Sequence, residues 1–136
     1  MIRPVVTDPL SLSRPSAAAV PSDLPAAQDL LDTLRANADR CAGMAANMIG
    51  VHKTILAFDN NGAYMVMFNP KITKKTQPYM TREGCLSVPG IRAARRYRTI
   101  EVAYYDRSFT PKTASFIGWT AQIIQHEIDH FSGKLI

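Results

Sequence analysis

The segment from Gln125 to His130 combines two histidines and a glutamate at a spacing that can support metal chemistry. It reads Q-H-E-I-D-H, so His126 and His130 stand four residues apart and Glu127 follows the first. In an α-helix, residues four apart lie on one face, and both rings could offer a nitrogen to one metal ion. Glu127 lies roughly 100° round the helix and could act as a general base on water. The pattern H-E-x-x-H therefore predicts a helix that carries a metal site.

A third protein ligand has to come from elsewhere in the chain. A catalytic tetrahedral site takes three protein ligands and leaves one position open. The stretch from Phe131 to Ile136 contains no His, Glu, Asp or Cys, so the ligand must lie upstream. A thiolate would make the site softer and would suit Fe(II) or Zn(II). Spacing alone does not choose among the upstream candidates, which are Cys41, Cys85, His52 and several carboxylates.

Two further segments make a family resemblance specific. Residues 83–87 read E-G-C-L-S, and together with the Q-H-E-x-D-H helix they resemble the second and third signature motifs of the peptide deformylase family. The first motif of that family, G-x-G-φ-A-A-x-Q, is similar to C-A-G-M-A-A-N-M at residues 41–48. The three segments follow in the family's order across nearly the whole chain. The resemblance implies the bacterial-type fold of that family, a Cys-His-His site and a preference for nascent N-formylmethionyl peptides.

The resemblance also implies a role for individual residues. Cys85, His126 and His130 would bind the metal, with Fe(II) expected and Zn, Ni or Co possible in a preparation. Glu127 would be the catalytic acid/base that takes a proton from water and delivers it to the leaving amine. The backbone N–H of Leu86 would be a second catalytic group, because it would stabilise the developing oxyanion.

The resemblance implies substrate contacts as well. Gly43 and Gly84 would let an extended peptide pair with the protein backbone, as a strand added to a sheet edge. Taken without the resemblance, both are ordinary turn glycines. For the side-chain pocket of the substrate, the sequence offers apolar candidates such as Met44, Ile123 and Ile124.

The first motif departs from the family pattern at two positions. Its leading Gly is Cys41 and its closing Gln is Met48. In the family that glutamine amide donates a hydrogen bond to the formyl oxygen, and a thioether has no proton to donate. Loss of one such donor typically lowers the reaction rate about 10²- to 10³-fold, which corresponds to roughly 3 to 4 kcal/mol of transition-state stabilisation. Slow catalysis is therefore predicted. Asn47 also carries an amide, but adjacent residues in an extended segment point to opposite sides, and a water or a backbone shift could supply the donor instead. Cys41 either fills space or acts as a competing ligand or redox-sensitive neighbour.

Short strands and a first helix are predicted upstream of the metal segment. Ser22 or Asp23 could cap an amphipathic helix over about residues 24 to 40. Gly43 to Gly50 is typical of a tight turn. The triplet 60–62, Asn-Asn-Gly, predicts a hairpin turn between strands over residues 54–59 and 63–69.

The remaining pattern predicts three more strands and a final helix. Residues 71–77 are polar and predict an edge strand, and strands over 98–105 and 112–117 flank a turn. Ala121, Ile124, Ile128 and Phe131 recur with helical spacing until Gly133, which predicts a buried C-terminal helix. The predicted fold class is α+β, with short antiparallel strands packed around the C-terminal HExxH helix as in a peptide deformylase.

Length and composition fit one domain and exclude several protein classes. The chain has 136 residues and 46% hydrophobic content, which predicts a single domain over residues 1–136. No apolar run approaches the roughly 18 to 20 residues of a membrane span, so no membrane partner is expected. Arg3, Pro4 and Asp8 interrupt any secretory signal, and the expected compartment is the cytoplasm. Two cysteines are too few for a disulfide framework.

The net charge of +5 leaves the partners open. The densest basic cluster consists of Arg92, Arg95, Arg96 and Arg98, with Tyr97 among them. A contact with the ribosome is possible for an enzyme that meets nascent chains, but a solvated strand edge carries such residues as often. No sequence-specific nucleic-acid partner is expected, and the oligomeric state stays open.

Three functional hypotheses fit these residues. The first is a metal-dependent hydrolase that removes the formyl group from formylmethionyl peptides, releases formate and works with reduced efficiency. The second is an inactive paralogue that keeps the metal and binds formyl peptides or a ribosomal partner. The third is a metallopeptidase, which the cysteine motif and the missing downstream ligand disfavour. Glu127 favours an enzyme, because a binding protein needs no general base, whereas Met48 favours binding alone.

Overall fold

A five-stranded antiparallel sheet and three α-helices make up the fold. The computed structural model describes residues 1–136. The strands neighbour one another in chain order, and the predicted α+β class is confirmed. None of the helices has both the length and the apolar character that crossing a membrane requires. The strands are β1 (Gly43–Ala45), β2 (Ile55–Asn60), β3 (Ala63–Gly84), β4 (Ile91–Tyr105) and β5 (Pro111–Ile117). The helices are α1 (Pro9–Leu12), α2 (Leu24–Ala36) and α3 (Gly118–His130).

Helix α3 is the predicted C-terminal helix, and it packs against β1, β2, β4 and β5. Its apolar stripe is held in the core, where Ala121 and Ile124 are fully buried. The helix ends at His130, and Gly133 follows with φ +83°. A side chain at position 133 would collide with the Ser13 carbonyl at 2.2 Å. The chain therefore turns directly after the two histidines.

Helix α2 buries its predicted apolar face, which includes Leu30, Leu31 and Leu34. It ends at Ala36, four residues earlier than the sequence predicts. The Asn37 amide explains this, because it folds back to donate to the Thr33 carbonyl at 2.8 Å. Such side-chain bonds compete with the helical ladder. The short helix α1 was not predicted, although the Asp8 carboxylate caps it by accepting from the Leu10 N–H.

The predicted hairpin between β2 and β3 is confirmed. Asn60 pairs with Ala63, so Asn61 and Gly62 form a two-residue loop. Both have positive φ, 53° and 98°, as a type I′ turn requires. The hairpin builds the centre of the sheet, because β2 is buried between β1 and β3 and packs against α2 and α3.

The prediction of a separate strand over residues 71–77 is wrong. These residues belong to β3, which continues to Gly84 through register shifts near Lys71 and Lys74. Strand β4 likewise begins at Ile91, seven residues before the predicted start. Beyond Lys71, β3 pairs with β4 alone, so one edge of this long ribbon is free, as predicted. Bulges let the chain bend without ending the ladder, and a propensity pattern does not reveal that continuation.

The segment predicted as a tight turn at residues 43–50 begins as a strand. Residues 43–45 form β1 and pair with β2, with Met44 opposite Ala57. A short 3₁₀ turn follows over Ala46–Ile49 and ends at Gly50, where φ is +83°. Strand β1 is the first strand of the sheet, and its outer edge is unpaired. A backbone edge that can accept another strand therefore lies next to helix α3.

Candidate metal centre

Three side chains with metal-binding atoms meet between the end of β3 and helix α3. Cys85 follows β3 directly, and His126 and His130 lie one turn apart on α3. The Cys85 Sγ lies 3.5 Å from His130 Nε2, and the two Nε2 atoms are 3.2 Å apart. All three atoms fall within 4.8 Å of one another. The structure thus brings together the three ligands that the resemblance implies.

The spacing of these atoms fits one tetrahedral ion. With metal–nitrogen bonds of roughly 2.0 to 2.1 Å and a metal–sulfur bond of roughly 2.3 Å, tetrahedral ligands lie about 3.3 Å (N to N) and about 3.5 Å (S to N) apart. The observed separations of 3.2 and 3.5 Å agree with these values. One imidazole is also set up as a ligand, because the His126 Nδ1 lies 2.8 Å from the Glu83 carboxylate. That bond holds the proton on Nδ1 and leaves Nε2 free to coordinate.

The Glu83 carboxylate that orients His126 is itself held by a buried arginine. Arg96 donates to Glu83 from Nε at 2.9 Å and from Nη2 at 2.7 Å. The Arg96 Nη1 also donates to Asp129 Oδ2 at 2.7 Å, and the Gln122 amide donates to Glu83 at 2.9 Å. The side chains of Arg96 and Glu83 are only 5% and 6% exposed. This network joins β3, β4 and α3 around the first histidine of the metal segment.

The electrostatic environment shifts the pKa values of the two histidines in opposite directions. Burial would lower the pKa of His126, but hydrogen bonds to Cys85 and Glu83 raise it to about 10. Burial and the neighbouring His126 lower the pKa of His130 to about 4. Burial opposes the charge on Glu83, yet hydrogen bonds from His126 and Arg96 bring its pKa down to about 2. In the chain without metal, one imidazole therefore holds a proton that metal binding would release.

Glu127 lies beside these groups as a buried carboxyl. Its side chain is 6% exposed, and its Oε1 is 3.8 Å from His130 Nε2 without a hydrogen-bond partner. Burial raises the pKa of Glu127 to about 7, which suits a group that gains and loses a proton near neutral pH. Gly43 leaves the room for it: a Cβ there would lie 2.6 Å from Ile123 Cγ2 and 3.1 Å from Glu127 Oε2.

A pocket of about 460 Å³ opens in front of these side chains. Segments before β1 and after β3 border it, and helix α3 closes it. Of the predicted apolar candidates only Ile123 lines it. Met44 and Ile124 are fully buried in the core instead, because the inner helix face and the β1 side chain at 44 point away from the opening. The lining residues are Arg40, Cys41, Ala42, Gly43, Met48, Arg82, Glu83, Gly84, Cys85, Leu86, Trp119, Gln122, Ile123, His126 and Glu127.

The two departures from the first motif both lie at this pocket. Met48 is buried, and its Sδ accepts a hydrogen bond from the Ala45 N–H at 3.4 Å. The neighbouring Asn47 amide donates to the His130 carbonyl at 3.1 Å, so it is engaged on the helix terminus. Leu86 also lines the pocket, and no backbone hydrogen bond involves its N–H. That N–H is consequently free to donate to a bound group.

The other upstream ligand candidates lie outside the cluster. Burial raises the pKa of the Cys41 thiol to about 11, and its Sγ lies 3.6 Å from the Asn37 carbonyl. His52 is held by the Ser11 carbonyl at 2.9 Å. Gly84 also differs from Gly43, since a Cβ there would meet only the Gly90 carbonyl at 3.9 Å. Packing within the chain therefore does not require glycine at position 84.

The basic cluster predicted at residues 92–98 is divided by the structure. Arg96 is buried in the network around Glu83, so its inclusion in a surface cluster was wrong. Alternation along β4 explains the difference between Arg95 and Arg96, because successive side chains of a strand point to opposite faces. Arg95 and Arg98 are exposed, and they lie over the rings of Tyr97 and Tyr79 respectively.

Sequence reasoning missed several residues of the site. Trp119 and Gln122 line the pocket on the same face as His126. They precede His126 by seven and four residues, and this helical spacing could have predicted the shared face. Arg96 gives no such local signal, because it reaches Glu83 only through the pairing of β3 with β4. Arg40 and Arg82 are also unpredicted, and both line the opening.

Comparisons with known proteins agree on one family. The family model for polypeptide deformylase matches residues 2–136. A peptide deformylase of Clostridium beijerinckii is 53% identical over 136 residues, which is the full length of both chains. Peptide deformylase 2 of Vibrio cholerae is 40% identical over 111 residues, covering 79% of this chain and 66% of that protein. The crystal structure of the Ehrlichia chaffeensis peptide deformylase aligns with a TM-score of 0.88 at 32% identity, covering 99% of this chain and 86% of the other.

Proposed function

The chain belongs to the peptide deformylase family, and from that premise we propose that it is a cytoplasmic enzyme that hydrolyses the formyl group of N-formylmethionyl peptides. One observation carries this proposal. Cys85, His126 and His130 have the atom spacing of a tetrahedral metal site, and the buried Glu127 carboxyl lies next to it with an unpartnered oxygen.

Cys85, His126 and His130 would hold the metal, and Fe(II) is the proposed ion because a thiolate and two imidazoles suit it. Zn, Ni or Co would suit the same donors in a preparation. When bound, the ion supplies Lewis-acid polarisation of the formyl carbonyl and acidifies water. Glu83 keeps the His126 ring oriented and keeps its proton on Nδ1, while Arg96 keeps Glu83 ionised and fixed.

Glu127 would move the proton of the reaction. Burial raises its pKa to about 7, so its carboxylate can accept a proton from water and its acid can return it. The attack of that water on the formyl carbon and the departure of the amine then need only this one side chain as acid and base. The backbone of Gly43 lies beside this carboxyl, since a Cβ there would come within 3.1 Å of Glu127 Oε2.

The oxyanion would be stabilised with one donor fewer than the family pattern provides. The free Leu86 N–H is available, whereas the Met48 thioether offers no proton and the Asn47 amide is engaged elsewhere. Removing one donor costs about 10²- to 10³-fold in rate. We therefore propose reduced efficiency, and a chain that binds formyl peptides without turning them over is the alternative that Met48 favours.

The peptide would lie as an added strand between β1 and the end of β3. The outer edge of β1 is unpaired, and Gly43 and Gly84 border the pocket on the two segments. An extended peptide could pair with that backbone edge. Arg92, Arg95 and Arg98 remain as a proposed ribosome-facing surface, which loss of co-sedimentation with ribosomes in an Arg95→Glu, Arg98→Glu variant would support.

The function is tested by formate release from a formyl-Met tripeptide, using protein loaded anaerobically with Fe(II). Slow release by the wild-type protein is expected, with acceleration in Met48→Gln and loss in Glu127→Gln. The expected gain for Met48→Gln is up to about 10²-fold. If the metal stays bound and neither the wild type nor Met48→Gln releases formate, the catalytic proposal fails, and binding of formyl peptides or of a ribosomal partner is the hypothesis to test next.

A further inference from the structure

Two arginines at the pocket opening have no counter-charge, and we refer to Arg40 and Arg82 as the arginine rim. Both are exposed and line the pocket. Arg82 forms no ion pair or side-chain hydrogen bond within the chain, and the guanidinium of Arg40 donates only to the neutral Asn37 amide. The ionised carboxylate of the pocket does not compensate them, because Glu83 is already bound by Arg96. The opening therefore presents two guanidinium groups that no carboxylate of the chain neutralises.

The arginine rim borders the path that the proposed peptide strand would follow, because both arginines line the pocket next to β1 and the end of β3. Arg40 directly precedes the segment that leads into β1, and Arg82 directly precedes Glu83 and Gly84 at the end of β3. These are the two segments between which an added strand would lie. In an extended peptide, side chains follow at about 3.3 Å per residue and alternate in direction. One guanidinium on each segment can thus meet a side chain on either face of the peptide.

We propose that the arginine rim selects substrates that carry a carboxylate on one of the two residues following formylmethionine. The proposal rests on the proposed function, because it assumes that a formyl peptide occupies the pocket. A guanidinium binds a carboxylate through two parallel hydrogen bonds. In a nascent chain this carboxylate is an Asp or Glu side chain, whereas in a short peptide it could also be the C-terminus.

The test compares amidated formyl peptides that differ by a single charge. Formyl-Met-Glu-Ala-amide and formyl-Met-Ala-Glu-amide are each paired with the glutamine analogue, and formyl-Met-Ala-Gln with a free C-terminus separates the two sources of carboxylate. We expect kcat/KM to be about two- to fivefold higher for at least one glutamate peptide than for its glutamine analogue. The ratio is expected to fall as salt is raised, since exposed charges are screened.

Arginine variants identify the groups responsible. The ratio is expected to drop towards one in the Arg40→Gln, Arg82→Gln double variant. Arg95→Gln is the matched control, because Arg95 is an exposed arginine of the same ribbon outside the pocket. A ratio that persists in the double variant, or that falls equally in Arg95→Gln, would mean that the overall charge of +5 and not the arginine rim attracts acidic peptides.

The two proposals fail in distinguishable ways. If every peptide releases formate and kcat/KM is the same for each glutamate peptide and its glutamine analogue, the proposal for the arginine rim is overturned and the deformylase function remains intact. No formate from any peptide overturns the function, and the same peptide pairs are then compared by their Kd values for the Fe(II) protein. Equal Kd values would overturn the arginine rim in that case as well.

Discussion

Replacing Arg96 with methionine is expected to destabilise the protein strongly, although Arg96 does not line the pocket. Methionine keeps much of the buried aliphatic volume and removes the guanidinium. The variant loses two hydrogen bonds to Glu83, at 2.9 and 2.7 Å, and one to Asp129, at 2.7 Å. The Glu83 carboxylate would remain buried, at 6% exposure, with no cation to balance it except a protonated His126.

The expected cost is about 3 to 5 kcal/mol in the free energy of unfolding, because removing one partner of a buried ion pair leaves the other charge uncompensated. With a urea dependence of roughly 1 to 3 kcal/mol per molar, the unfolding midpoint should move down by about 2 M. Metal affinity should fall about 10- to 100-fold, since Glu83 no longer holds the His126 ring in place.

The assay is urea unfolding of the metal-free protein, followed by competition for Zn between the protein and a chelator. Arg95→Met is the matched control, because Arg95 is the exposed neighbour on β4, and it should change stability by no more than about 0.5 kcal/mol. Arg96→Lys retains the charge without the double hydrogen bond and should fall between the wild type and Arg96→Met. This variant keeps the comparison informative if Arg96→Met does not fold.

Adding Glu83→Gln to Arg96→Met tests the physical reason. The neutral amide needs no counter-charge, so the double variant should recover part of the lost stability, and the two substitutions should not be additive. A cost below about 1 kcal/mol for Arg96→Met, or strict additivity with Glu83→Gln, would refute the view that a buried charge pair supports the metal centre.

Two further expectations concern pH and the pocket glycines. Because the pKa of Glu83 is lowered from 4.5 to about 2 in the folded chain, its contribution of about 3 kcal/mol is present above pH 4.5 and is lost as pH falls towards 2. Urea unfolding of the metal-free protein at pH 6 and pH 3 should show this loss, and an equal loss in Glu83→Gln would contradict it. Gly43→Ala should destabilise the protein and disturb Glu127, because its Cβ would lie 2.6 Å from Ile123. Gly84→Ala, where a Cβ has space, should leave the unfolding midpoint unchanged and lower kcat/KM; unchanged kcat/KM would show that no substrate backbone approaches Gly84.

Local sequence patterns identified the parts of the site that lie close together in the chain. His126 and His130 are four residues apart, and helical geometry alone places them on one face. The Asn-Gly turn at residues 61–62 likewise required no distant contact, because its positive φ angles suit those residue types. Such inferences succeed because the residues involved are constrained by the same few backbone dihedrals.

Patterns were weaker where a strand continued through an irregularity. The residue pattern predicts a separate strand over residues 71–77. In the structure, β3 continues to Gly84, because register shifts maintain its pairing with β4. The length of that ribbon matters for the site. It brings Glu83 and Arg96 to the same histidine, and neither residue has a local signal for that meeting.

The sequence by itself determined the helix with two histidines and a glutamate, the hairpin and, through resemblance, the family. It left Cys41, His52 and Cys85 as equal thiol or imidazole candidates when spacing alone was considered. Only the tertiary structure decided which atoms meet, since Cys85 and His130 are 45 residues apart and their 3.5 Å contact depends on how β3 packs against α3. The same packing decided that Ile123 faces the pocket and Ile124 the core. The spacing of two residues in a helix fixes the angle between their side chains, but which side of the helix faces the core depends on the elements packed against it.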